Sequence, residues 1–307
     1  MSKKVVLLQG GLGAERDVSL ATGRAFAQAL DELNYDYVIV EADANLPSAL
    51  EKAKPDVALL ALHGKYAEDG IVQGICEYLK IPYSGSGVLA SSLCMDKVFS
   101  KAVLQQQGVL VASQQVLDMR YQSLDDFKLE LEAPVVVKPS REGSSVGITI
   151  CKTSEDVLPA IKEAAKYDYH VMIETFIPGF EVTVPILAGK ALTPIEIRPK
   201  EGFYDYKNKY TKGNTEYLLP PSLPEPWIAH CQEVALKVSQ ICRLKTYGRI
   251  DFRVDPNGKP YVLEINTLPG CTETSLVPQS AKHDGIPFSE FVKILVDSAS
   301  LDYQGVQ

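Results

Sequence analysis

Short apolar runs alternate with helix-like segments along the first ninety-odd residues of the chain. The apolar runs predict strands over Lys4–Leu8, Tyr37–Glu41 and Asp56–Leu62. Apolar residues at helical spacing predict helices over Val18–Leu33, Pro47–Lys54 and Gly70–Leu79. Because strands that alternate with helices are typical of a parallel sheet with covered faces, we predict an α/β domain here.

From Asp96 the pattern changes to that of a small α+β unit. A helix is followed by a strand, a polar Gly/Ser loop at 139–147 and a second strand, which favours a hairpin over a strand-to-helix turn. A further helix and strand complete the unit. These elements are predicted over Lys97–Gln107, Val135–Lys138, Ile148–Cys151, Ser154–Lys166 and His170–Phe176.

The last part of the chain combines strands, one long helix and an irregular stretch. Its elements are predicted over Glu181–Leu187, Thr193–Arg198, Trp227–Cys242, Arg249–Val254 and Tyr261–Asn266. The stretch 199–224 is polar and Tyr/Lys-rich, and a loop that long inside a compact domain is usually functional or disordered, so we predict a lid. Three domains are expected, over residues 1–96, 97–182 and 183–307.

Composition narrows the possible function classes. The chain has 307 residues and a formal net charge of −8, which argues against a nucleic-acid-binding protein because such proteins usually carry a basic face. Its six Cys form no CxxC pair, as expected of buried thiols in a reducing compartment. No segment approaches the roughly 18 apolar residues of a membrane span, and no signal peptide is recognisable. These features predict a cytoplasmic protein.

The segment 249–266 gives the strongest physical argument for a site. A two-residue turn at Asn257-Gly258 would place Asp251 directly opposite Glu264, with Asn266 on the same face. Opposed carboxylates repel each other, so the arrangement is reasonable if a divalent cation lies between them. Two carboxylates and an amide suit Mg²⁺ or Mn²⁺ better than Zn²⁺. The alternative is a solvated hairpin face with ordinary surface charges.

Other candidates each have an ordinary structural alternative. The loop from Lys138 to Gly147 offers backbone N–H groups, hydroxyls and an ammonium group to a phosphate, or is a flexible hairpin tip. The glycine-rich turn after the first strand lacks the third glycine of a dinucleotide fingerprint, which leaves Glu15 as a ligand contact or a helix-start carboxylate. His63 is a structural residue or part of the same crevice, and Lys97 is a site residue or a surface charge.

The order of six motifs gives the chain a family resemblance. The motifs are GGLGAERDVSL (10–20), HGKYAEDGIVQG (63–74), KPSREGSSVGI (138–148), FYDYKNKY (203–210), GRIDFRV (248–254) and LEINTLPGCTETSLVP (263–278). Over nearly its whole length the chain resembles the ATP-grasp ligases, and among them the D-alanine–D-alanine ligases. It departs from the usual pattern at Ala67, Cys271 and Glu273, and the last two lie in the segment that leads to the implied pocket for the second substrate.

The resemblance implies an ATP-grasp fold, α/β with an α+β central part, behind an N-terminal parallel-sheet (preATP-grasp) domain. It also implies a role for each matching residue. The contacts implied for the ATP phosphates are Lys97, Lys138, Gly143, Ser144, Ser145 and Lys209. Those for adenine and ribose are Glu174, the backbone near Ile177, and Glu181. The implied ligands of two Mg²⁺ ions, with Mn²⁺ as an alternative, are Asp251, Glu264 and Asn266.

The resemblance also implies the substrate contacts. Glu15 would receive the ammonium group of a first D-alanine and form a hydrogen-bonded triad with Ser144 and Tyr210. Arg249 and the backbone N–H of Gly270 would form an oxyanion hole. Ser275 would bind the carboxylate of a second D-alanine, and His63 and Leu276 are further implied substrate contacts.

The implied reaction is the ATP-dependent ligation of two D-alanines through an acyl phosphate, which yields ADP and phosphate in peptidoglycan precursor synthesis. The implied partners are ATP, two D-alanine molecules and a second copy of the chain in a homodimer. The alternatives are a related ligase that takes D-lactate or D-serine as its second substrate, or a nucleotide-binding protein without catalysis. Tyr210 favours an amine nucleophile, because relatives that form depsipeptides tend to carry Phe there.

Overall fold

A computed structural model of the chain describes residues 3–143, 145–200 and 213–303. The first part contains a parallel sheet, as predicted, and its strand order is β2-β1-β3. Its elements are β1 (Lys4–Gln9), α1 (Arg16–Glu32), β2 (Asp36–Glu41), α2 (Leu46–Ala53), β3 (Val57–Leu60), α3 (Ile71–Tyr78) and α4 (Val88–Met95). The central strand β1 is apolar and fully buried from Val5 to Leu8, whereas the edge strand β2 exposes Val38 and Ile39. The predicted α/β domain is confirmed.

The central part is an antiparallel sheet in the order β4-β7-β5-β6. Its elements are α5 (Lys97–Gln106), β4 (Gln114–Asp118), β5 (Val135–Pro139), β6 (Thr149–Cys151), a 3₁₀ turn (Ser154–Asp156), α6 (Val157–Ala164) and β7 (His170–Thr175). The strands β5 and β6 form the predicted hairpin, so the loop 139–147 projects from one end of the sheet.

The last part contains an antiparallel sheet in the order β11-β10-β8-β12-β13, with β9 paired to β8. Its elements are β8 (Phe180–Leu187), β9 (Lys190–Ala191), β10 (Ile195–Pro199), β11 (Thr215–Leu218), α7 (Glu225–Ile241), β12 (Tyr247–Val254), β13 (Pro260–Asn266), α8 (Leu276–His283) and α9 (Phe288–Asp297). Within the predicted lid at 199–224, β11 is described, whereas residues 201–212 lie outside the described part of the chain.

The last helix packs against the first sheet. Phe291, Val292, Leu295 and Val296 of α9 are fully buried in the same apolar cluster as the strands β1 and β3. Just beyond α9, Ser300 forms an antiparallel bridge with Tyr83. The N-terminal core is therefore completed by residues from the end of the described chain.

Some elements were not predicted from the hydrophobic pattern. These are α4, β4, β9, β11, α8 and α9. The strand β4 has the sequence QQVLD and lies at a sheet edge, so only Leu117 is buried and no apolar alternation appears. The helix α8 has a proline at its third position, which hides its helical pattern. In the described part of the chain, no helix is both long and apolar enough to traverse a lipid bilayer.

Candidate active site

The hairpin β12–β13 opposes two carboxylates, as predicted. Asp251 and Glu264 are register partners. The turn itself differs from the prediction, because a backbone hydrogen bond of 3.0 Å between Asp255 and Lys259 closes a three-residue loop in which Gly258 has φ +83°. A β-bulge next to Asp251 then shifts the register by one residue. The longer loop and the bulge compensate each other, so the predicted pairing is right although the predicted turn is wrong.

Four residues on one face of this hairpin, Arg249, Asp251, Glu264 and Asn266, are called the hairpin cluster. Arg249 donates two hydrogen bonds to Asp251, from Nε to Oδ1 and from Nη2 to Oδ2, both at 2.9 Å. Asn266 Nδ2 donates to Asp251 Oδ2 at 3.1 Å, and the Thr183 hydroxyl on β8 donates to Oδ1 at 2.5 Å. Asp251 is thus neutralised by Arg249, which offsets its repulsion from Glu264.

Lys97 joins the hairpin cluster to the central part of the chain. Its Nζ lies 3.2 Å from Glu264 Oε2 and donates to the carbonyl of Glu142 at 2.7 Å. Asp96 fixes the start of α5 as its N-cap, and it also accepts a hydrogen bond of 2.7 Å from the Ser140 hydroxyl. The ammonium group of Lys97, at the start of α5, therefore contacts both the loop 139–147 and the hairpin.

A second group of charges, Lys101, Lys138 and Glu174, is called the Glu174 cluster. All three side chains are at most 6% exposed. Glu174 Oε1 contacts the ammonium group of Lys101, and Oε2 lies 2.5 Å from Lys138 Nζ. Burial opposes ionisation of Glu174, but the two ammonium groups outweigh it and hold the pKa of that carboxyl below its usual value. Burial lowers the pKa of Lys101 to about 8.

Both clusters face one pocket between the central and C-terminal sheets. Its lining includes ten residues that were predicted for the site, namely Lys97, Lys138, Ser145, Glu174, Ile177, Glu181, Arg249, Asp251, Glu264 and Leu276. Apolar side chains of Ala112, Val136, Ile148 and Phe176 also line it. A pocket with apolar walls and a cationic region suits a ligand with a flat base and a phosphate chain.

Arg253 connects two of the residues predicted for adenine and ribose. Its Nε donates to the carbonyl of Ile177 at 3.2 Å, and its Nη1 lies 3.6 Å from Glu181 Oε2. Arg253 was not predicted. Its alternation with Arg249 and Asp251 along β12 placed it on the same face and could have identified it.

The base of the loop 139–147 is fixed by Arg141. This side chain donates to Asp168 from Nε at 3.0 Å and from Nη2 at 2.5 Å, and its backbone N–H donates to the same carboxylate at 3.0 Å. The guanidinium carbon also lies 4.4 Å from the centroid of the Tyr169 ring. Arg141 therefore anchors the loop to the turn before β7.

The tip of this loop reaches the N-terminal domain. Glu142 forms an ion pair with Lys65. A Cβ atom on Gly143 would lie 3.5 Å from Glu15 Oε2, and one on Gly64 only 2.4 Å from the same atom. The predicted ammonium-binding carboxylate is therefore close to the predicted phosphate loop. A side chain at position 64 would collide with Glu15, so the packing here requires glycine.

His63 is buried, and both of its ring nitrogens form hydrogen bonds with protein groups. Nδ1 is 2.7 Å from the carbonyl of Leu268, and Nε2 is 2.9 Å from the Thr22 hydroxyl. Burial lowers the pKa of His63. The neighbouring Glu68, whose carboxylate lies 3.9 Å from His63 Nδ1, has a pKa raised to about 8 by burial and by the charge of Glu15.

The predicted pocket for the second substrate begins after β13. The Ser275 hydroxyl accepts the backbone N–H of Thr272 at 3.0 Å, and α8 starts at the next residue, Leu276. A Cβ atom on Gly270 would lie 3.8 Å from Ser275 Oγ, so the predicted oxyanion donor is close to the predicted carboxylate contact. Cys271 is fully buried, and burial raises its pKa well above the usual value, which argues against the reactivity towards thiol reagents that its position suggests.

Three predicted residues, Ser144, Lys209 and Tyr210, lie outside the described residues. Sequence reasoning also missed Lys101, Glu68 and Thr22. Lys101 follows Lys97 by one helical turn on α5, and that spacing could have indicated a second lysine on the same face. Thr22 forms its contacts with residues far away in the sequence, and no local pattern predicts them.

The hairpin cluster is the candidate metal site. In residues 3–143, 145–200 and 213–303, no three His, Cys, Asp or Glu side chains are grouped so that they could hold a metal ion. The predicted set instead combines two carboxylates with the amide of Asn266, all within one face of the hairpin. These oxygen donors fit the ligand preference of Mg²⁺ or Mn²⁺.

Two protein-family models match this chain, one in its N-terminal part and one over most of the remainder. Residues 41–86 match a family model described as D-ala D-ala ligase N-terminus. Residues 98–297 match a second model, described as D-ala D-ala ligase C-terminus. The second match includes α5 except for its first residue, Lys97, together with the loop 139–147 and the whole hairpin.

Individual relatives agree over nearly the full length. The chain is 45% identical to a D-alanine–D-alanine ligase of Syntrophotalea carbinolica over 302 residues, which is 97% of each protein. A crystal structure of D-alanine–D-alanine ligase from Bacillus anthracis complexed with ATP superposes with a TM-score of 0.86 at 33% identity, covering 97% of each chain. The VanG D-Ala:D-Ser ligase of Enterococcus faecalis superposes with a TM-score of 0.83 at 26% identity, covering 96% of this chain and 98% of that one.

Proposed function

The chain belongs to the D-alanine–D-alanine ligase family, and from this premise we propose how its ATP-grasp fold joins two D-alanine molecules with ATP as co-substrate. It is an ATP-dependent ligase. The observation that carries the proposed mechanism is that two lysines predicted to bind phosphate, Lys97 and Lys138, line the same pocket as Asp251 and Glu264, the carboxylates predicted to bind the metal.

The chemistry begins with a carboxylate, which is a poor electrophile. Transfer of the γ-phosphoryl group of ATP to the carboxylate of the first D-alanine converts it to an acyl phosphate. The amine of the second D-alanine then attacks the carbonyl carbon, the bond to the phosphate oxygen breaks, phosphate leaves and the nitrogen loses a proton. Because anions react with each other in the first step, catalysis depends on charge neutralisation and positioning.

Lys97 and Lys138 are proposed to bind the phosphates of ATP, with the backbone of the loop at Ser145. This role is supported by the burial of both ammonium groups at the pocket wall. In the Glu174 cluster Lys101 supplies a second positive charge to Glu174, so that Lys138 is not needed to neutralise it alone. Glu181 and the backbone at Ile177 are proposed to contact the ribose and the base.

Asp251, Glu264 and Asn266 would hold Mg²⁺, which supplies positive charge to the reacting phosphoryl group when it is bound. The support is their oxygen donor set and the position of Lys97, 3.2 Å from Glu264, at the phosphate end of the pocket. Arg249 is held by Asp251 in a fixed plane, which suits a donor that must meet a developing oxyanion without reorganising.

The amino-acid side of the site rests on residues of the N-terminal domain and of α8. Glu15 is proposed to bind the ammonium group of the first D-alanine, and Ser275 and Leu276 the carboxylate of the second. The backbone N–H of Gly270 is proposed to complete the oxyanion hole with Arg249. The roles of Ser144, Lys209 and Tyr210 stay predictions from sequence.

The test is a coupled assay of ADP and phosphate release by the whole protein. We expect release to require ATP, Mg²⁺ and D-alanine together, and product analysis to give the dipeptide. Glu264→Gln should reduce turnover at least about 10²-fold, because it removes a ligand charge from the proposed Mg²⁺ site and so weakens the neutralisation of the transferring group. Glu233→Gln on the exposed face of α7 is the matched control and should leave turnover unchanged.

The same assay separates the alternatives. Turnover with D-serine or D-lactate in place of the second D-alanine, and none with D-alanine, would contradict the substrate assignment but not the ligase class. ATP binding without turnover on any of these substrates would indicate a protein without catalysis. The domain boundaries near 96 and 182, the homodimer and the cytoplasmic location stay predictions.

A further inference from the structure

Thr22 and His63 tie the N-terminal domain to the segment Leu268–Cys271, which leads into the proposed pocket for the second substrate. Both residues are buried, with exposed fractions of 1% and 6%. Thr22 lies on α1 and His63 follows β3. Neither contact is local in sequence, since the partners are separated by about 200 residues or more.

The donor and acceptor properties of these groups define the direction of each hydrogen bond. The carbonyl of Leu268 can only accept, so His63 Nδ1 carries the proton and donates to it at 2.7 Å. In a neutral ring Nε2 is then an acceptor, and the Thr22 hydroxyl donates to it at 2.9 Å. The same hydroxyl oxygen accepts the backbone N–H of Cys271 at 3.3 Å. The lowered pKa of His63 agrees with a neutral ring.

These bonds hold both ends of a four-residue segment. Leu268 is fixed through its carbonyl and Cys271 through its N–H, and between them lies Gly270. A Cβ atom on Gly270 would lie 3.7 Å from Val18 on α1. The segment is therefore packed directly against the helix that carries Thr22.

We propose that Thr22 and His63 are positioning residues, which hold the Gly270 N–H and the Ser275 hydroxyl in the geometry that the second substrate requires. The side chain of His63 is 4% exposed and both of its nitrogens bind protein groups, so it acts through the segment rather than by touching substrate. This revises the substrate contact that the family resemblance implied for His63, and it rests on the proposed function. An error of about 1 Å in the position of such a group can reduce a rate about 10²-fold.

The test compares Thr22→Val, which keeps the shape but removes the hydroxyl, with Thr22→Ser, which keeps the hydroxyl. At saturating ATP we expect Thr22→Val to reduce kcat/KM for D-alanine at least about tenfold, with the KM for ATP changed less than about twofold. Thr22→Ser should stay within about threefold of the parent, because the two hydrogen bonds are retained. A loss of equal size in Thr22→Val and Thr22→Ser, or an equal effect on ATP and D-alanine, would overturn the proposal.

Hydrogen exchange of the peptide spanning residues 268–275 provides a readout that does not depend on activity. It should become faster in Thr22→Val and in His63→Ala but not in Thr22→Ser. Unchanged exchange in Thr22→Val and His63→Ala would overturn the positioning role. If the parent protein fails to use D-alanine, the proposed function is wrong, whereas the exchange result still decides whether Thr22 and His63 hold the segment.

Discussion

Residues of the Glu174 cluster and of the hairpin cluster line the same pocket, but the two clusters differ in charge balance and exposure. In the first, two lysines surround one carboxylate, leaving one positive charge in excess, and all three side chains are at most 6% exposed. In the second, Arg249 and the neighbouring Lys97 balance two carboxylates, and Glu264 is 30% exposed. The buried cluster is a fixed part of the fold, whereas the exposed carboxylate can exchange Lys97 for another cation.

The largest effect on stability should come from removing the buried carboxylate. Glu174→Gln leaves the ammonium groups of Lys101 and Lys138 next to each other in the protein interior without a counter-charge. We expect the free energy of unfolding to fall by about 3–5 kcal/mol in urea denaturation. The exposed control Glu233→Gln should change it by less than about 0.5 kcal/mol. Similar values for the two variants would contradict the structural role of this cluster.

Lys101→Met should have an intermediate effect on stability together with a functional one. Glu174 would then be paired with Lys138 alone, which costs about 1–3 kcal/mol and draws Lys138 away from its proposed contact with the phosphates. Calorimetry should detect a several-fold weaker affinity for ATP. Lys162→Met on the exposed face of α6 is the control for loss of a lysine charge, and it should bind ATP as the parent does.

Two buried titratable groups, Glu68 and Lys101, should give the pH dependence of stability opposite slopes. The pKa of Glu68, which interacts electrostatically with Arg249 and Glu264 of the hairpin cluster, is raised by burial and by Glu15 to about 8. The native state therefore holds this proton more tightly than the unfolded state, and the stabilisation present below pH about 4.5 is lost as the pH rises to about 8. Urea denaturation from pH 5 to 8 should show a smaller decline in Glu68→Gln than in the parent.

For Lys101 the sign is reversed. Burial lowers its pKa to about 8, below the usual 10.5, so the unfolded state binds the proton more tightly. Stability should therefore gain from this group as the pH rises from about 8 to 10.5, and lose that gain as the pH falls through 8. In Lys101→Met the slope over this range should decrease. If the pH dependence of the free energy of unfolding had the same slope in Lys101→Met as in the parent, the charged form of Lys101 would not be buried in the native state.

The smallest stability effect is expected for Glu264→Gln. If Asp251 and Glu264 repelled each other with no other charge nearby, neutralising Glu264 would clearly increase the free energy of unfolding. In the structure Arg249 already neutralises Asp251, and Lys97 lies 3.2 Å from Glu264, so the repulsion is largely offset. We expect a change below about 1 kcal/mol in either direction by urea denaturation, in contrast with Glu174→Gln. A loss as large as that of Glu174→Gln would remove the distinction between the two clusters.

The sequence was most informative where local pattern and chemistry coincide. Alternating apolar residues, a turn residue pair and the same-face rule predicted that Asp251 pairs with Glu264, and the structure has this pair. The three-residue loop and the bulge were not predictable, because a bulge depends on how β13 fits its partner strand. The predicted register was right because the one extra residue in the loop and the one-residue shift at the bulge cancel each other.

Long-range contacts were beyond the reach of sequence reasoning. His63 was interpreted either as a hydrogen-bonded structural residue or as part of the crevice near Glu15, but its partners Thr22 and Leu268 follow from tertiary packing alone. The depth of Glu174 and its contact with Lys101 likewise depend on how α5 lies against β7. The sequence pattern could indicate that charged residues lie near a site, but it could not show which of these charges form ion pairs with each other.

The position of α9 has a consequence for how the chain acquires its structure during synthesis. The strands β1 and β3 are made first, but part of their apolar cluster consists of Phe291, Leu295 and Val296, which emerge from the ribosome more than 200 residues later. Until then one apolar face of the first sheet lacks its covering helix. The N-terminal domain should therefore reach its native packing last, and a nascent chain that ends before α9 should be prone to aggregation.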